Sequence, residues 1–327
     1  MFRADEIGLE FAYNSEMKRI KTAKYDVIII GGGAAGMSAA LWCDELKLNA
    51  LLLESKNELG GQLHIVYNPI ENHLGVTAKN GKELNRIFLK QIEKRSFEIR
   101  LNAEVKEVNF RTKTVYLTDG SEFSARAVVI ATGTRRRRLG VDGEDKFQGK
   151  GILESGKREA EKVKGKTVAI IGGGDAALEH ALILAETAAK VYLIHRRKEF
   201  RGRGEFITKV IKNKKVKIWL ETEVCEISGD GKVESLKLKN SSDEIQTLPV
   251  DALLLRIGVE PNTQIFKTKL KTDKSGYLKV DSSCETSIKN IFAVGDVANP
   301  IALTVSTAVG TGATVGKILR EKLNNIQ

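Results

Sequence analysis

The stretch YDVIIIGGGAAGMSAALWCDELKLNALLLE, residues 25–54, decides how the chain is read. Asp26–Ile30 is an apolar, β-rich run, Gly31-Gly32-Gly33-Ala34-Ala35-Gly36 is a glycine turn, a helical pattern follows to about Leu46, and Ala50–Glu54 is a second strand. Strand, glycine turn, helix, strand and acid is the order of a dinucleotide-binding unit. Gly31 permits the tight turn, Gly33 lets a pyrophosphate approach the backbone, and Gly36 lets the helix pack closely on the sheet. Glu54 closes the unit with a carboxylate able to accept from ribose hydroxyls.

The same unit recurs downstream. Thr167–Ile171 is an apolar strand, Gly172-Gly173-Gly174-Asp175-Ala176-Ala177 opens a helix, and Val191–Ile194 is the next strand. Its ending has the opposite charge: His195-Arg196-Arg197, with Arg201 and Arg203 beyond. A carboxylate there would repel a 2′-phosphate, whereas guanidinium groups hold one through paired charge-assisted hydrogen bonds. The alternative for these arginines is a solvated charge run. Two dinucleotide units with opposite charge at the ribose position suggest two cofactors, FAD in the first and NADPH in the second.

With 327 residues, 42% of them hydrophobic and 29% charged, the chain is long enough for two domains with full cores. No apolar run approaches the roughly 18 residues a membrane span needs, and the charged residues 1–24 have no signal core, so the expected setting is cytoplasmic. The net charge of +11 is dispersed, with runs at Lys212–Lys217 and Lys267–Lys274 that lack interleaved aromatics. That pattern favours solvated surface over nucleic-acid binding. Cys43, Cys225 and Cys284 are too scattered for a disulfide framework or a metal site, and no metal is expected. Cys43 reads as core, Cys225 lies in a strand-like run, and Cys284 lies in a loop.

Taken together, these residues resemble the low-molecular-weight thioredoxin reductase family, which includes the thioredoxin-reductase-like ferredoxin–NADP reductases. Beyond the two turns the resemblance rests on Gly60-Gly61-Gln62-Leu63, Glu71-Asn72, Ala131-Thr132-Gly133, Ile257-Gly258 with Pro261-Asn262-Thr263, and Phe292-Ala293-Val294-Gly295-Asp296. It runs from about Tyr25 to Leu319. It implies an α/β fold of two Rossmann-like dinucleotide-binding domains, the NADPH domain (141–261) inserted into the FAD domain (1–140 and 262–327). It also implies a homodimer, and rotation of the domains about hinges at Gly140–Gly143 and Ile257–Pro261. FAD contacts are implied for Gly31, Gly33, Ala34, Ala35, Gly36, Glu54, Gly61, Gln62, Asn72, Val105, Ala131, Thr132, Gly133, Gly295, Asp296, Thr304 and Val305. For NADPH the implied residues are Gly172, Gly174, Asp175, Ala176, His195, Arg196, Arg197, Arg201, Ile257 and Gly258.

The sequence departs from the family at the Cys-x-x-Cys pair that disulfide-reducing members carry before the second turn. Ser155 and Arg158 stand at the cysteine positions and Glu159 at that of the following acid. A hydroxyl and a guanidinium cannot carry two electrons, so the thiol relay is expected to be absent. Glu159 is a candidate proton donor whose pKa burial would raise, and His73 a candidate neighbour of the flavin. Arg135–Arg138 and Ser155–Arg158 suggest a surface that steers an acidic carrier such as ferredoxin or flavodoxin, although the C-terminal aromatic extension of those reductases is missing. Three activities follow: an NADPH-dependent flavin oxidoreductase that passes electrons directly to a carrier, a small molecule or oxygen; a disulfide reductase working through Cys284 or a thiol on its partner; and a non-catalytic dinucleotide-sensing module.

Overall fold

The computed structural model describes residues 24–324. The charged residues 1–23 lie outside them. The chain forms two compact units: one runs to Arg135 and resumes at Glu260, and the other is Arg136–Val259.

The first unit contains β1 (Tyr25–Ile30), α1 (Ala34–Glu45), β2 (Ala50–Leu53), α2 (Gly81–Ile92), β3 (Glu98–Arg100), β4 (Val105–Asn109), β5 (Thr114–Leu117) and β6 (Glu122–Ile130). The sheet order is β3-β2-β1-β6-β5-β4. β1 pairs parallel with β2 (Val27↔Ala50) on one side and with β6 (Ile30↔Ile130) on the other. A parallel strand between parallel neighbours is covered on both faces, which is why YDVIII reads as one unbroken apolar run. The turn after β1 therefore opens where strand order reverses, the position at which such sheets bind ligands.

A short strand, β7 (Thr134–Arg136), leads out of this unit. The second unit follows with β8 (Ile152–Leu153), β9 (Thr167–Ile171), α3 (Asp175–Thr187), β10 (Lys190–Ile194), α4 (Gly204–Lys212), β11 (Val216–Trp219), β12 (Thr222–Ser228), β13 (Ser235–Asn240), β14 (Ile245–Pro249) and β15 (Ala252–Leu255). Its five-stranded sheet is ordered β11-β10-β9-β15-β8, with β12-β13-β14 as a separate antiparallel sheet. Here β9 repeats the role of β1, parallel to β10 (Ile171↔Ile194) and to β15 (Ile171↔Leu255). β16 (Val259–Pro261) leads back to the first unit, where β17 (Ile291–Ala293) joins β6 and α5 (Val305–Asn324) ends the fold.

Small residues let α5 lie against α1. A Cβ on Gly312 would stand 2.4 Å from the Ala35 carbonyl oxygen and one on Gly316 2.5 Å from the Trp42 Cβ, while the Ser38 hydroxyl donates to the Val309 carbonyl at 2.7 Å. In the first unit buried side chains fill both faces of the sheet: Val27, Ile29 and Leu52 on the α1 side, and Ile28, Ile30, Leu51 and Phe266 on the other. The second unit does likewise with Val168, Ile170 and Leu178 on one face and Phe147, Ala169 and Leu253 on the other.

The boundaries differ slightly from those read in the sequence. β1 begins at Tyr25, α1 ends at Glu45 with Leu46 as its cap, and β2 stops at Leu53, so Glu54 is the first residue past the strand. Among the described residues no helix is long and apolar enough to cross a membrane, and no cluster of three metal-ligating side chains occurs.

Candidate dinucleotide sites

In the first unit Gly31 has φ +110°, and a Cβ there would lie 2.5 Å from the Ala131 carbonyl oxygen. A side chain is excluded both by the backbone and by the neighbouring segment. A Cβ on Gly36 would meet the Gly31 oxygen at 1.8 Å, so the helix touches the turn directly. Gly33 is different, since a Cβ there meets nothing within 4 Å. It caps α1 without any side-chain hydrogen bond, leaving the first amides of the helix facing open space.

Glu54 is buried, and its carboxylate fastens the turn. One oxygen accepts the Gly32 amide at 2.7 Å and the other accepts the Lys56 amide at 2.9 Å. The Glu54 carbonyl accepts the Ala103 amide at 2.8 Å, which brings the segment leading into Val105 alongside. Gly61 approaches Gly33, where an added Cβ would lie 3.1 Å from the Gly33 Cα. Gln62 donates to the Thr134 carbonyl. The Asn262 side chain and backbone amides donate to the Thr132 and Gly133 carbonyls at 2.7 and 2.9 Å, holding Ala131–Gly133 over the turn. Gly295 packs on α1, with its Cβ position 2.7 Å from the Ala35 Cβ, and its amide donates to the Thr311 hydroxyl at 2.9 Å.

Asp296 follows, and its Oδ1 is buried with no hydrogen-bond partner among the described residues. Burial pushes its carboxyl up to about 6. Asn72, His73, Thr304 and Val305 form a second group: the Ser306 hydroxyl bonds His73 Nδ1 at 3.0 Å and the Asn72 carbonyl at 3.5 Å, and the Thr304 hydroxyl accepts the Thr307 amide as the cap of α5. His73 lies edge-on to Phe88 and is engaged in packing.

The second unit repeats the design. Gly172 has φ +147° and its Cβ position lies 2.2 Å from the Arg256 carbonyl oxygen, which sets Ile257 and Gly258 beside the turn. Gly174 caps α3 without a side-chain bond, and a Cβ there again meets nothing within 4 Å. His195 takes the place that Glu54 holds in the first unit, its ring 2.4 Å from a Cβ on Gly173. Burial lowers the His195 pKa, and Arg196 and Arg201 lower it further, so the ring is neutral near pH 7. The Arg201 amide donates to the Gly173 carbonyl at 2.7 Å and the Arg203 amide to Asp175 at 2.6 Å, tying this loop to the glycine turn. Arg196 and Arg201 are exposed and Arg197 half-buried.

The segment that carries Ser155, Arg158 and Glu159 is a closed turn. Glu159 is buried and accepts the Glu154 and Ser155 amides at 2.8 and 2.9 Å and the Lys162 ammonium at 3.1 Å. Burial raises its pKa, but these donors outweigh burial and leave the carboxyl below its ordinary value. The expectation of a raised pKa is therefore corrected: Glu159 is an ionised structural acceptor and a poor proton donor. The Cys284 thiol, the relay candidate of this chain, is enclosed. Cys284 is buried in the α1-side core and its thiol is pushed up by burial and by Asp281, whereas Cys225 on β12 is exposed. Cys43 is buried, as read, with its thiol pushed up to about 12 by burial and Asp26. The run Arg135–Arg138 is also partly neutralised, since Arg135 pairs with Glu260 at 2.6 Å and Arg138 with Asp145 at 2.6 Å.

Several contributors were not apparent in the sequence: Asn262 as a clamp on Thr132–Gly133, Thr311 as an acceptor for Gly295, and Gly32 and Gly173 as seats for Glu54 and His195. The recurring triple glycine was the available signal for the last pair.

The model of the pyridine nucleotide-disulphide oxidoreductase family matches residues 25–312. The thioredoxin reductase of Streptomyces coelicolor is 35% identical over 293 residues, covering 88% of this chain and 91% of its own length. The ferredoxin–NADP reductase of Picrophilus torridus is 33% identical over 287 residues, covering 84% and 86%. Among solved structures, thioredoxin reductase from Lactococcus lactis superposes with a TM-score of 0.76 at 30% identity, covering 92% of this chain and 99% of that one.

Proposed function

The chain belongs to the pyridine nucleotide-disulphide oxidoreductase family and is an oxidoreductase of the thioredoxin reductase type, and from that premise we propose that it moves electrons from NADPH through FAD straight to an outside acceptor, without a thiol relay of its own. The observation that carries this reading is the turn at residues 155–159. Ser155 and Arg158 occupy the relay positions, the Ser155 hydroxyl faces the Arg158 amide at 3.4 Å, and Glu159 locks the turn from within. The three cysteines are free, and the two buried ones have raised pKa values.

The residues present fit both cofactors. On the FAD side an open cradle at Gly33 lies next to Glu54, and the unpartnered Asp296 Oδ1 has a buried position that a ribityl or phosphate hydroxyl would satisfy. On the NADPH side the open cradle at Gly174 adjoins Arg196, Arg197 and Arg201, whose forks suit a 2′-phosphate. FAD and NADPH held by these residues would supply the hydride and electron transfer of the reaction. The protein's part is positioning: Glu54 and His195 brace the two glycine turns, and the first amides of α1 and α3 would hold the phosphates. Glu159, ionised and committed to three donors, moves no proton in this scheme.

An acidic carrier protein fits the basic surface at Arg136 and Arg137, which among the described residues bond carbonyl oxygens and no carboxylate, and the ferredoxin–NADP reductase relative points the same way. A homodimer in the cytoplasm is part of the proposal. The disulfide reductase reading through Cys284 is disfavoured by that thiol's burial, and the non-catalytic reading by two intact cradles.

The test is anaerobic stopped-flow reduction with NADPH or NADH, followed by mixing with ferredoxin, flavodoxin, thioredoxin, quinone or oxygen. Rapid bleaching by NADPH and rapid reoxidation by a non-thiol acceptor are expected. Failure to bleach would hand the case to the binding-module reading, and fast reoxidation by thioredoxin alone to the disulfide reading.

A further inference from the structure

Arg256, the residue after β15, is half-buried in the second unit. Its guanidinium donates to the carbonyls of Leu255 at 2.8 Å and Glu154 at 3.0 Å, and to His180 Nε2 at 3.4 Å. The other nitrogen of His180 lies 2.7 Å from the Ala176 carbonyl. A carbonyl only accepts, so Nδ1 carries the proton and Nε2 offers its lone pair to Arg256. Burial and the Arg256 charge both push the His180 pKa down, which keeps the ring neutral in that role.

Arg136 reaches the same Glu154 carbonyl, at 2.7 Å. Two guanidinium nitrogens on one oxygen stand within about 6 Å of each other, where like charges raise each other's cost. Glu159 offsets part of the cost to Arg256 from a distance, but among the described residues no carboxylate pairs with either guanidinium. The nearby acids are spent elsewhere, Glu154 on Arg158 at 2.6 Å and Glu159 on Lys162 at 3.1 Å, and among the described residues neither Arg136 nor Arg256 forms an ion pair. Burial first and Arg136 next lower the Arg256 pKa to about 10. Donors also remain unspent: of the five N–H groups an arginine carries, Arg256 uses three and Arg136 one. A partly buried cation without a directly paired counter-charge is costly, and a guanidinium fork is shaped for a carboxylate or phosphate.

The geometry points to an oxyanion site here: Arg136 and Arg256, with His180 holding Arg256 in place, bind a compact phosphate or carboxylate group that is not part of the dinucleotide. His180 lies about 7.5 Å along the axis of α3 from its first residue, and the cluster spans from the Arg256 backbone, which closes on Gly172, to the Ser155–Glu159 turn, where Gly156 packs on His180 and where the relay would stand in a disulfide reductase. Because it flanks the turn where the cofactor phosphates are expected, the test keeps that turn filled with NADP+.

The test is calorimetric titration of the flavin-loaded full chain, saturated with NADP+ at low ionic strength, with inorganic phosphate in one arm and malonate in the other. Saturable binding in the phosphate arm assigns the site to phosphate, and in the malonate arm to carboxylates. In either case the affinity is expected to fall at least tenfold in both Arg136→Met and Arg256→Met and to be unchanged in Arg201→Ala. Arg136 is exposed, so its variant stays informative if Arg256→Met folds poorly. The bound anion should also raise the melting temperature of the wild type and not of the Arg136 variant. Absence of saturable binding in both arms, or a loss confined to Arg201→Ala, would overturn the assignment.

Discussion

Substituting Gly174 by alanine separates the fold from the cofactor. Gly174 has φ −99° and ψ 179°, values open to any L residue, and its Cβ would meet nothing within 4 Å. Alanine is a poorer N-cap than glycine by roughly 0.5–1 kcal/mol. Restricting the unfolded chain returns about 0.4–1 kcal/mol. The two nearly cancel, so the ligand-free melting temperature should move by no more than about 2 °C. The methyl group, however, occupies the space into which the pyrophosphate must come to meet the first amides of α3. Losing one charge-assisted hydrogen bond costs about 1.5–3 kcal/mol, which raises the Kd for NADPH roughly 10- to 150-fold. Differential scanning fluorimetry reads the first quantity, and the NADPH dependence of anaerobic flavin bleaching reads the second. Unchanged NADPH affinity in a well-folded variant would refute the placement of the phosphates over this turn. A melting temperature lowered by more than about 5 °C would refute the openness of the cradle.

Three further outcomes are expected. Arg201→Ala should weaken NADPH by about tenfold or more and leave NADH nearly unchanged, because only the former offers a phosphate to the guanidinium; steady-state KM values for both nucleotides check this. The folded pKa of Asp296, about 6, lies above that of an exposed carboxyl. The native ligand-free protein therefore keeps a proton that the unfolded chain gives up first, and stability should fall as pH rises from about 4 to 6 and level off above. Asp296→Asn should remove that decline in denaturation curves while weakening flavin retention. Finally, an aromatic disulfide reagent should modify Cys225 quickly and Cys43 and Cys284 only on unfolding, and Cys284→Ser should leave electron transfer unaltered.

Both glycine turns were legible because their constraint is local: a φ of +110° at Gly31 or +147° at Gly172 demands glycine whatever surrounds it. The apolar runs of β1 and β9 were legible because strands covered on both faces leave no polar alternation. What escaped was set by distant partners. Glu159 looked like an acid poised to give a proton, and only the fold shows the amides of Glu154 and Ser155 turned onto its carboxylate. Cys284 read only as a loop residue, yet it has φ +60° and sits in the core beside Phe292. Arg135–Arg138 read as one basic block, but Glu260 and Asp145 divide it into neutralised and free members. The meeting of Arg136, His180 and Arg256 joins residues that no spacing connects.

The most direct test of the central claim is the stoichiometry of anaerobic reduction. If the flavin is the only redox centre, one equivalent of NADPH per FAD should complete the bleaching and no protein thiol should appear. Consumption of a second equivalent, accompanied by two newly titratable thiols, would show an internal disulfide and contradict direct transfer from flavin to acceptor.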